Sequence, residues 1–285
     1  MKSHYKKILN NDGIINIPKV ISKETSAKAI AVIEQILKNR DEDLLFTNTG
    51  VERKICYAFQ KDEIFLDIIS NPKVIEILKD IYGDQIGNIL PTWEDILIKK
   101  PICGIPVEVH QDLGLPSINI EEVFSLSFYL NESKDNPVYY IKGSHKLGAL
   151  TRNEIQKYQG KELFTPYFAN IGDINIHNVL TVHYSDSNKS LLPRYTWYVE
   201  FRTIEQILND SPWNLEWALK RQAILAYAIE NRKKKGLVFS EIDFTRKNEL
   251  NKYFENIELK VPHIGEGIEY IDNEYNHFKD HKSLF

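Results

Sequence analysis

Arg194-Tyr195-Thr196-Trp197-Tyr198-Val199-Glu200-Phe201-Arg202 alternates residue by residue. Tyr195, Trp197, Val199 and Phe201 fall on one side; Arg194, Thr196, Tyr198 and Glu200 fall on the other. Successive side chains of an extended strand point to opposite faces, so this is a strand with one apolar and one polar face. Val123 to Leu130 repeats the pattern, with Phe124, Leu126, Phe128 and Leu130 opposed to Ser125, Ser127 and Tyr129. Shorter strand signals stand at Asp95–Ile98, Pro106–His110, Val138–Ile141, Asp173–Ile176 and Leu180–His183, with turn residues such as Gly143-Ser144 between them. Many short strands separated by turns predict a sandwich or barrel. Thr196 and Tyr198 are expected to share the inward face with Arg194. For Ser125, Ser127 and Tyr129 either face could be the inward one.

Outward from these strands the periodicity changes. Ala29, Val32, Ile33, Ile36 and Leu37 recur at helical spacing after Ser22, ending near Asn39. Asn71-Pro72 reads as an N-cap with proline in the first helical position, followed by the stripe Val74, Ile77, Leu78, Ile81 and a stop at Gly83. Ser211-Pro212 is expected to open a long helix reaching about Lys235. The basic run Arg232 to Lys235 at its end suits a helix C-terminus and is expected to be solvated. The 285 residues therefore read as one domain, mainly β with flanking helices: a helical N-terminal part (about 1–88), a barrel core (about 89–203) and a helical C-terminal extension (about 211–285).

Composition narrows the function classes. A net charge of −4 argues against a nucleic-acid partner. Two cysteines, Cys56 and Cys103, are too few for a disulfide scaffold or a thiolate metal site. No stretch has the roughly 18 consecutive apolar residues of a membrane span. Met1–Lys7 leads into no signal-peptide apolar region. The expectation is a cytoplasmic protein acting on a small molecule.

The chemistry concentrates in His110-Gln111-Asp112, at the end of a strand-like stretch. Residues i and i+2 of a strand project to the same face, so an imidazole and a carboxylate can grip one metal ion. One His-x-Asp among eight histidines is a weak signal. A second cluster strengthens it: Gly172-Asp173 leads to His183-Tyr184-Ser185, then Asn188, Ser190 and, eleven residues after His183, Arg194. Two histidines and a carboxylate on one face of an octahedron leave positions open, as in non-heme Fe(II) oxygenases. A bidentate 2-oxo acid and O₂ can fill them, and an arginine fork suits the distal carboxylate of 2-oxoglutarate.

Four stretches together resemble the phytanoyl-CoA dioxygenase family: Lys99-Lys100-Pro101; Val109-His110-Gln111-Asp112; Asp135-Asn136-Pro137 with Ile141-Lys142-Gly143-Ser144-His145; and Gly172-Asp173 through His183-Tyr184-Ser185, Asn188 and Arg194. The family's usual acidic-Asn-Gly is Asp-Asn-Pro here, and its Pro-Gly-Ser-His is Lys-Gly-Ser-His. The resemblance covers about residues 60–202 and leaves the C-terminal part uncovered. It implies a double-stranded β-helix, a jelly-roll barrel of cupin type. It implies Fe(II) on His110, Asp112 and His183, and 2-oxoglutarate anchored by Arg194 with help from Ser185. Lys54 is a further candidate contact to the cosubstrate. The implied reaction consumes O₂, decarboxylates 2-oxoglutarate to succinate and CO₂, and hydroxylates a C–H bond of a substrate in a small-molecule, biosynthetic pathway. Halogenating relatives lack the carboxylate, so Asp112 speaks against halogenation.

The rival readings are a metal-dependent cupin that does not use 2-oxoglutarate, against which Arg194 stands, and a non-catalytic binding protein on the same barrel, against which the intact triad stands. His177 is expected to be a barrel-wall residue and His145 to bond within its own loop; His4, His263, His277 and His281 are expected to be exposed. Leu113–Glu122 and Leu150–Pro166 are expected to form lid loops.

Overall fold

Both alternating stretches are strands, and they lie side by side. The computed structural model describes residues 4–112, 122–209, 213–254 and 256–264. The strands are β1 (Ile14–Ile17), β2 (Leu44–Phe46), β3 (Glu52–Cys56), β4 (Ile89–Lys99), β5 (Val107–His110), β6 (Phe124–Tyr129), β7 (Val138–Tyr140), β8 (Thr165–Tyr167), β9 (Ile174–Asn178), β10 (His183–Ser185) and β11 (Arg194–Thr203). They form a seven-stranded sheet in the order β1-β9-β6-β11-β4-β3-β2 and a four-stranded sheet in the order β5-β10-β7-β8. Every neighbouring pair is antiparallel. The two sheets face each other in a jelly-roll.

The register decides which side of the large sheet looks inward. Thr196 sits between Leu97 and Tyr129, Tyr198 between Asp95 and Ser127, and Arg194 opposite Lys99. Directly paired residues share a face, so Arg194, Lys99, Thr196, Tyr198, Asp95 and Ser127 line the gap between the sheets. The question left open for Ser125, Ser127 and Tyr129 is thereby answered: they are on the inward face. The apolar face turns outward because helices cover it. These include α1 (His4–Asp12), α2 (Lys23–Asn39), α3 (Ala58–Lys61), α4 (Glu63–Ile69) and α5 (Pro72–Tyr82). Trp197 is fully buried, its ring 5.6 Å from Phe59, 5.2 Å from Phe65 and 4.9 Å from Phe128. Aromatic groups of this size dominate the energetics of a core.

The helix termini follow the sequence. Ser22 accepts a hydrogen bond from the Thr25 N–H, capping α2. Asn71 caps α5 ahead of Pro72, and Gly83 ends it at φ +54°. Two of the expected boundaries move. The long helix α8 (Leu215–Lys234) starts at its cap Asn214, whose side chain accepts from the Trp217 N–H. A short α7 (Ile204–Asn209) precedes it, while Ser211 and Pro212 lie outside the described residues. Leu180 to Val182 is no strand: Asn178 turns the chain there, accepting from the Leu180 N–H, and β10 begins only at His183. The N-terminal part is also less purely helical than its periodicity suggests, because β1, β2 and β3 extend the large sheet on both sides.

The chain returns to the sheet after α8. Arg221 on α8 is fully buried and pairs with the equally buried Glu94, while its Nε donates to the Pro91 carbonyl at 2.8 Å. His263, expected to be exposed, is 6% accessible, with Nε2 3.3 Å from Glu94 and its ring 4.5 Å from Tyr57. It is carried there because the Ile264 N–H bonds the Thr92 carbonyl. His4 is exposed; His277 and His281 lie outside the described residues. The basic run does more than sit in solvent: Arg232 donates to the Asp67 carbonyl, and Lys235 pairs with Glu63 and Asp67. Cys56 and Cys103 are free thiols. Among the described residues no helix is long and apolar enough to cross a membrane.

Candidate metal centre

His110 ends β5, Asp112 follows two residues later, and His183 opens β10 directly opposite His110. The pairing explains how residues far apart in sequence meet. His110 Nε2 is 3.1 Å and His183 Nε2 3.7 Å from the same Asp112 oxygen, Oδ1. Ligand atoms of all three residues lie within 4.8 Å of one another.

The tautomers follow from the partners. His110 Nδ1 is 2.7 Å from the Glu108 carbonyl and His183 Nδ1 is 2.8 Å from the Thr181 carbonyl. A carbonyl only accepts, so each Nδ1 carries a proton and each Nε2 is the nitrogen turned toward Asp112 and left for a metal. Burial pushes the His183 imidazole well below its usual range, and the neighbouring His110 adds to this, so the ring is neutral. Burial pushes the Asp112 carboxyl up, but the surrounding imidazoles of His183, His110 and His177 outweigh it and hold the carboxyl well below the usual range. Neutral imidazoles and an ionised carboxylate are the protonation states that metal binding demands.

His177, expected in the barrel wall, is there on β9 and has a further role. Its Nε2–H donates to Asp112 Oδ2 at 2.8 Å, leaving Oδ1 turned toward the two histidines. Tyr140 on β7 stacks on His183 with ring centroids 5.2 Å apart, and its buried hydroxyl has no hydrogen-bond partner among the described residues.

Gln111, between the two ligands, points away from them. Its amide donates to the Gly148 and Leu180 carbonyls at 2.9 and 2.6 Å and accepts from the Leu150 N–H at 2.9 Å. Ser144 of the Gly-Ser-His turn accepts from the Val182 N–H at 2.8 Å, fixing the residue before His183. His145 Nε2 contacts the Asn10 carbonyl at 3.2 Å, reaching α1 rather than its own loop. Gly172 has φ +83°, and a Cβ there would lie 2.1 Å from the Ile21 carbonyl oxygen. The neighbouring Asp173 accepts from the Lys19 N–H at 3.0 Å. The Gly-Asp pair thus anchors the start of β9 and touches no ligand. Of the two expected lid loops, 113–121 lies outside the described residues, and 150–166 contains the capped helix α6 (Arg152–Gln156) and the start of β8.

Arg194 begins β11 and is 2% accessible. Its Nη1 donates to the Asn136 carbonyl, while its buried Nη2 has no hydrogen-bond partner among the described residues. Asn136, from the Asp-Asn-Pro stretch, donates to the Asp186 and Ser187 carbonyls at 3.0 Å each, holding the chain after β10 beside that guanidinium. Ser185 is buried there as well, and its Oγ accepts from Lys99 Nζ at 2.8 Å. Lys54 is on the inward face too, paired with Asp95 at 2.6 Å and 5.1 Å from the centre of the Trp93 ring. The structure therefore brings His110, Asp112 and His183 into one cluster and sets Ser185 near Arg194, with Lys54 engaged by a carboxylate of the same sheet. Sequence reading overlooked Lys99, whose signal is period two: Asp95, Leu97 and Lys99 alternate with Ile96 and Ile98.

Comparison with known proteins agrees with this geometry. The family profile of phytanoyl-CoA dioxygenase (PhyH) matches residues 9–196. A probable alpha-ketoglutarate-dependent hypophosphite dioxygenase of Stutzerimonas stutzeri is 22% identical over 213 residues, covering 64% of this chain and 72% of its own. The alpha-ketoglutarate-dependent carbocyclase SnoK from nogalamycin biosynthesis superposes with a TM-score of 0.60 at 20% identity, over 70% of this chain and 83% of its own. EctD from S. alaskensis, solved with 2-oxoglutarate and 5-hydroxyectoine, gives 0.62 at 15% identity, over 76% and 80%. At such identities the two structures speak for the fold.

Proposed function

This chain belongs to the phytanoyl-CoA dioxygenase family, and from that premise we propose that it is an Fe(II)- and 2-oxoglutarate-dependent dioxygenase that hydroxylates a small molecule, with iron on His110, Asp112 and His183 and the cosubstrate's distal carboxylate on Arg194. One observation carries the reading: ligand atoms of His110, Asp112 and His183 converge within 4.8 Å of one another, while a buried guanidinium nitrogen of Arg194, on the inward face of the large sheet, has no hydrogen-bond partner among the described residues.

The donor set fits iron, since imidazole and carboxylate in this number and with open positions suit non-heme Fe(II). Bound iron with 2-oxoglutarate and O₂ supplies the oxidising chemistry, yielding succinate and CO₂. The chain's own residues have narrower tasks. His177 holds Asp112 so that one oxygen is left for the metal. The Glu108 and Thr181 carbonyls orient the two imidazoles. Arg194 can pair a carboxylate bidentately. Thr196 and Tyr198, on the inward face with Arg194 on β11, would line the cosubstrate's site. Names of relatives that speak of hypophosphite and of nogalamycin biosynthesis support a small-molecule substrate.

The test is anaerobic absorption spectroscopy of the protein with Fe(II) and 2-oxoglutarate, beside Asp112→Ala and Arg194→Ala. A visible charge-transfer band in the wild type, lost in both variants, is expected. Iron bound without such a band would point to a cupin enzyme that does not use 2-oxoglutarate. Failure to bind iron would leave a binding protein.

A further inference from the structure

The large sheet buries many cations, and most of those on its inward face and flanks have a carboxylate. Lys54 pairs with Asp95, Lys61 with Asp41 and Asp43, Arg202 with Glu200, and Arg221 with Glu94. At the start of β11 the pattern breaks. Lys99 and Arg194 are directly paired across β4 and β11, share the inward face, and are 1% and 2% accessible. Neither forms an ion pair with any described residue. Lys99 Nζ contacts only neutral acceptors: Ser185 Oγ at 2.8 Å, the Ser185 carbonyl at 3.4 Å and the Asp186 carbonyl. Arg194 reaches only the Asn136 carbonyl.

Two adjacent buried basic groups are costly to keep both charged without an anion, because buried charge is ordinarily paired. We propose that Lys99 is the second cation of the distal-carboxylate subsite, so that the carboxylate of 2-oxoglutarate is received between an ammonium and a guanidinium rather than by Arg194 alone. This rests on the reading of Arg194 as the cosubstrate anchor. Ser185 belongs to the same cradle: its oxygen accepts from Lys99, which leaves its hydroxyl proton free to reach the incoming carboxylate.

The arrangement has a protonic consequence. Burial pushes Lys99 down to about 6, Arg194 pushes in the same direction, and Asp186 partly offsets them. Near pH 7.5 the free site therefore holds Lys99 mostly neutral. An arriving carboxylate supplies the missing anion and raises its proton affinity. Binding then takes up one proton, and affinity for 2-oxoglutarate falls as pH rises above about 6 until the value of the bound state is passed.

The experiment is titration calorimetry of 2-oxoglutarate into the Mn(II)-loaded protein at pH 7.5, in two buffers of different ionisation enthalpy. The wild type is expected to take up close to one proton. Lys99→Met should abolish the uptake and weaken 2-oxoglutarate binding by about tenfold to a hundredfold, the range for a hydrogen bond to a charged group. Binding of 2-oxopentanoate, which has a methyl in place of the distal carboxylate, should be unchanged in the variant. Proton uptake near zero in a wild type that binds 2-oxoglutarate would overturn the role of Lys99 and leave the oxygenase reading standing. So would equal loss of both ligands in the variant. Absence of any 2-oxoglutarate binding in the wild type would overturn the parent reading and this one with it. Should Lys99→Met fail to fold, the wild-type proton count decides.

Discussion

The two ends of the cavity treat charge in opposite ways. At the metal end a single carboxylate meets three imidazoles: His177 holds Oδ2, and Oδ1 faces His110 and His183. At the distal end the buried Lys99 and Arg194 have only neutral partners among the described residues, and one guanidinium nitrogen has none. The first end is organised by the protein alone. The second, on the role proposed for Arg194 and Lys99, is completed by the carboxylate that binds there. Sites that act on a bound ligand gain from such preorganisation on one side and from an unmet need on the other.

Substitutions can break this contrast. The largest effect is expected from Asp112→Ala, which removes the anion that holds the imidazole cluster together. Metal binding measured by iron titration should be lost and turnover should fall by about a thousandfold or more, on the scale of removing a principal electrostatic stabiliser. Arg194→Ala should act at the other end only. It should weaken 2-oxoglutarate by about a hundredfold, as for a charge-assisted hydrogen bond lost in a buried site, with iron affinity unchanged in the same titration. His177→Phe sharpens the metal end: Asp112 remains but is no longer oriented, and iron affinity should drop about tenfold or somewhat more, the scale of outer partners of metal ligands. The smallest effect belongs to Ser127→Ala. The buried Ser127 Oγ has no hydrogen-bond partner among the described residues, so urea unfolding should show stability unchanged within about 1 kcal/mol. A large loss there would mean that the inward face is already satisfied without a ligand.

How much of this was legible follows from how local each signal is. Alternation in Arg194–Arg202 and Val123–Leu130 marked two central strands, because apolar packing on one side of a sheet leaves a period of two. The Asn71-Pro72 and Gly83 boundaries of α5 were legible because caps are made by neighbouring residues. The metal cluster was legible because the stretches around His110-Gln111-Asp112 and His183 resemble linked motifs of a known family, which a single His-x-Asp could not have shown. By contrast β2 and β8 span three residues each, too few to show a period. The tie from His177 to Asp112 joins residues 65 positions apart and depends on β9 facing β5. Burial of His263 depends on the return of the C-terminal segment to β4, which no local pattern announces. Lys99 was hidden by its neighbour: in Lys99-Lys100 two identical residues point to opposite faces, one into the cavity and one toward Glu52.

Both imidazoles of the metal cluster are steered by main-chain carbonyls two residues upstream, Glu108 for His110 and Thr181 for His183. A carbonyl is present whatever side chain the residue bears. The orientation of the two rings is therefore insulated from substitution at the positions that steer them, and the surrounding walls can be rebuilt for a new substrate while the imidazole nitrogens keep their aim. A barrel wired in this way can change what it oxidises without relearning how to hold its metal.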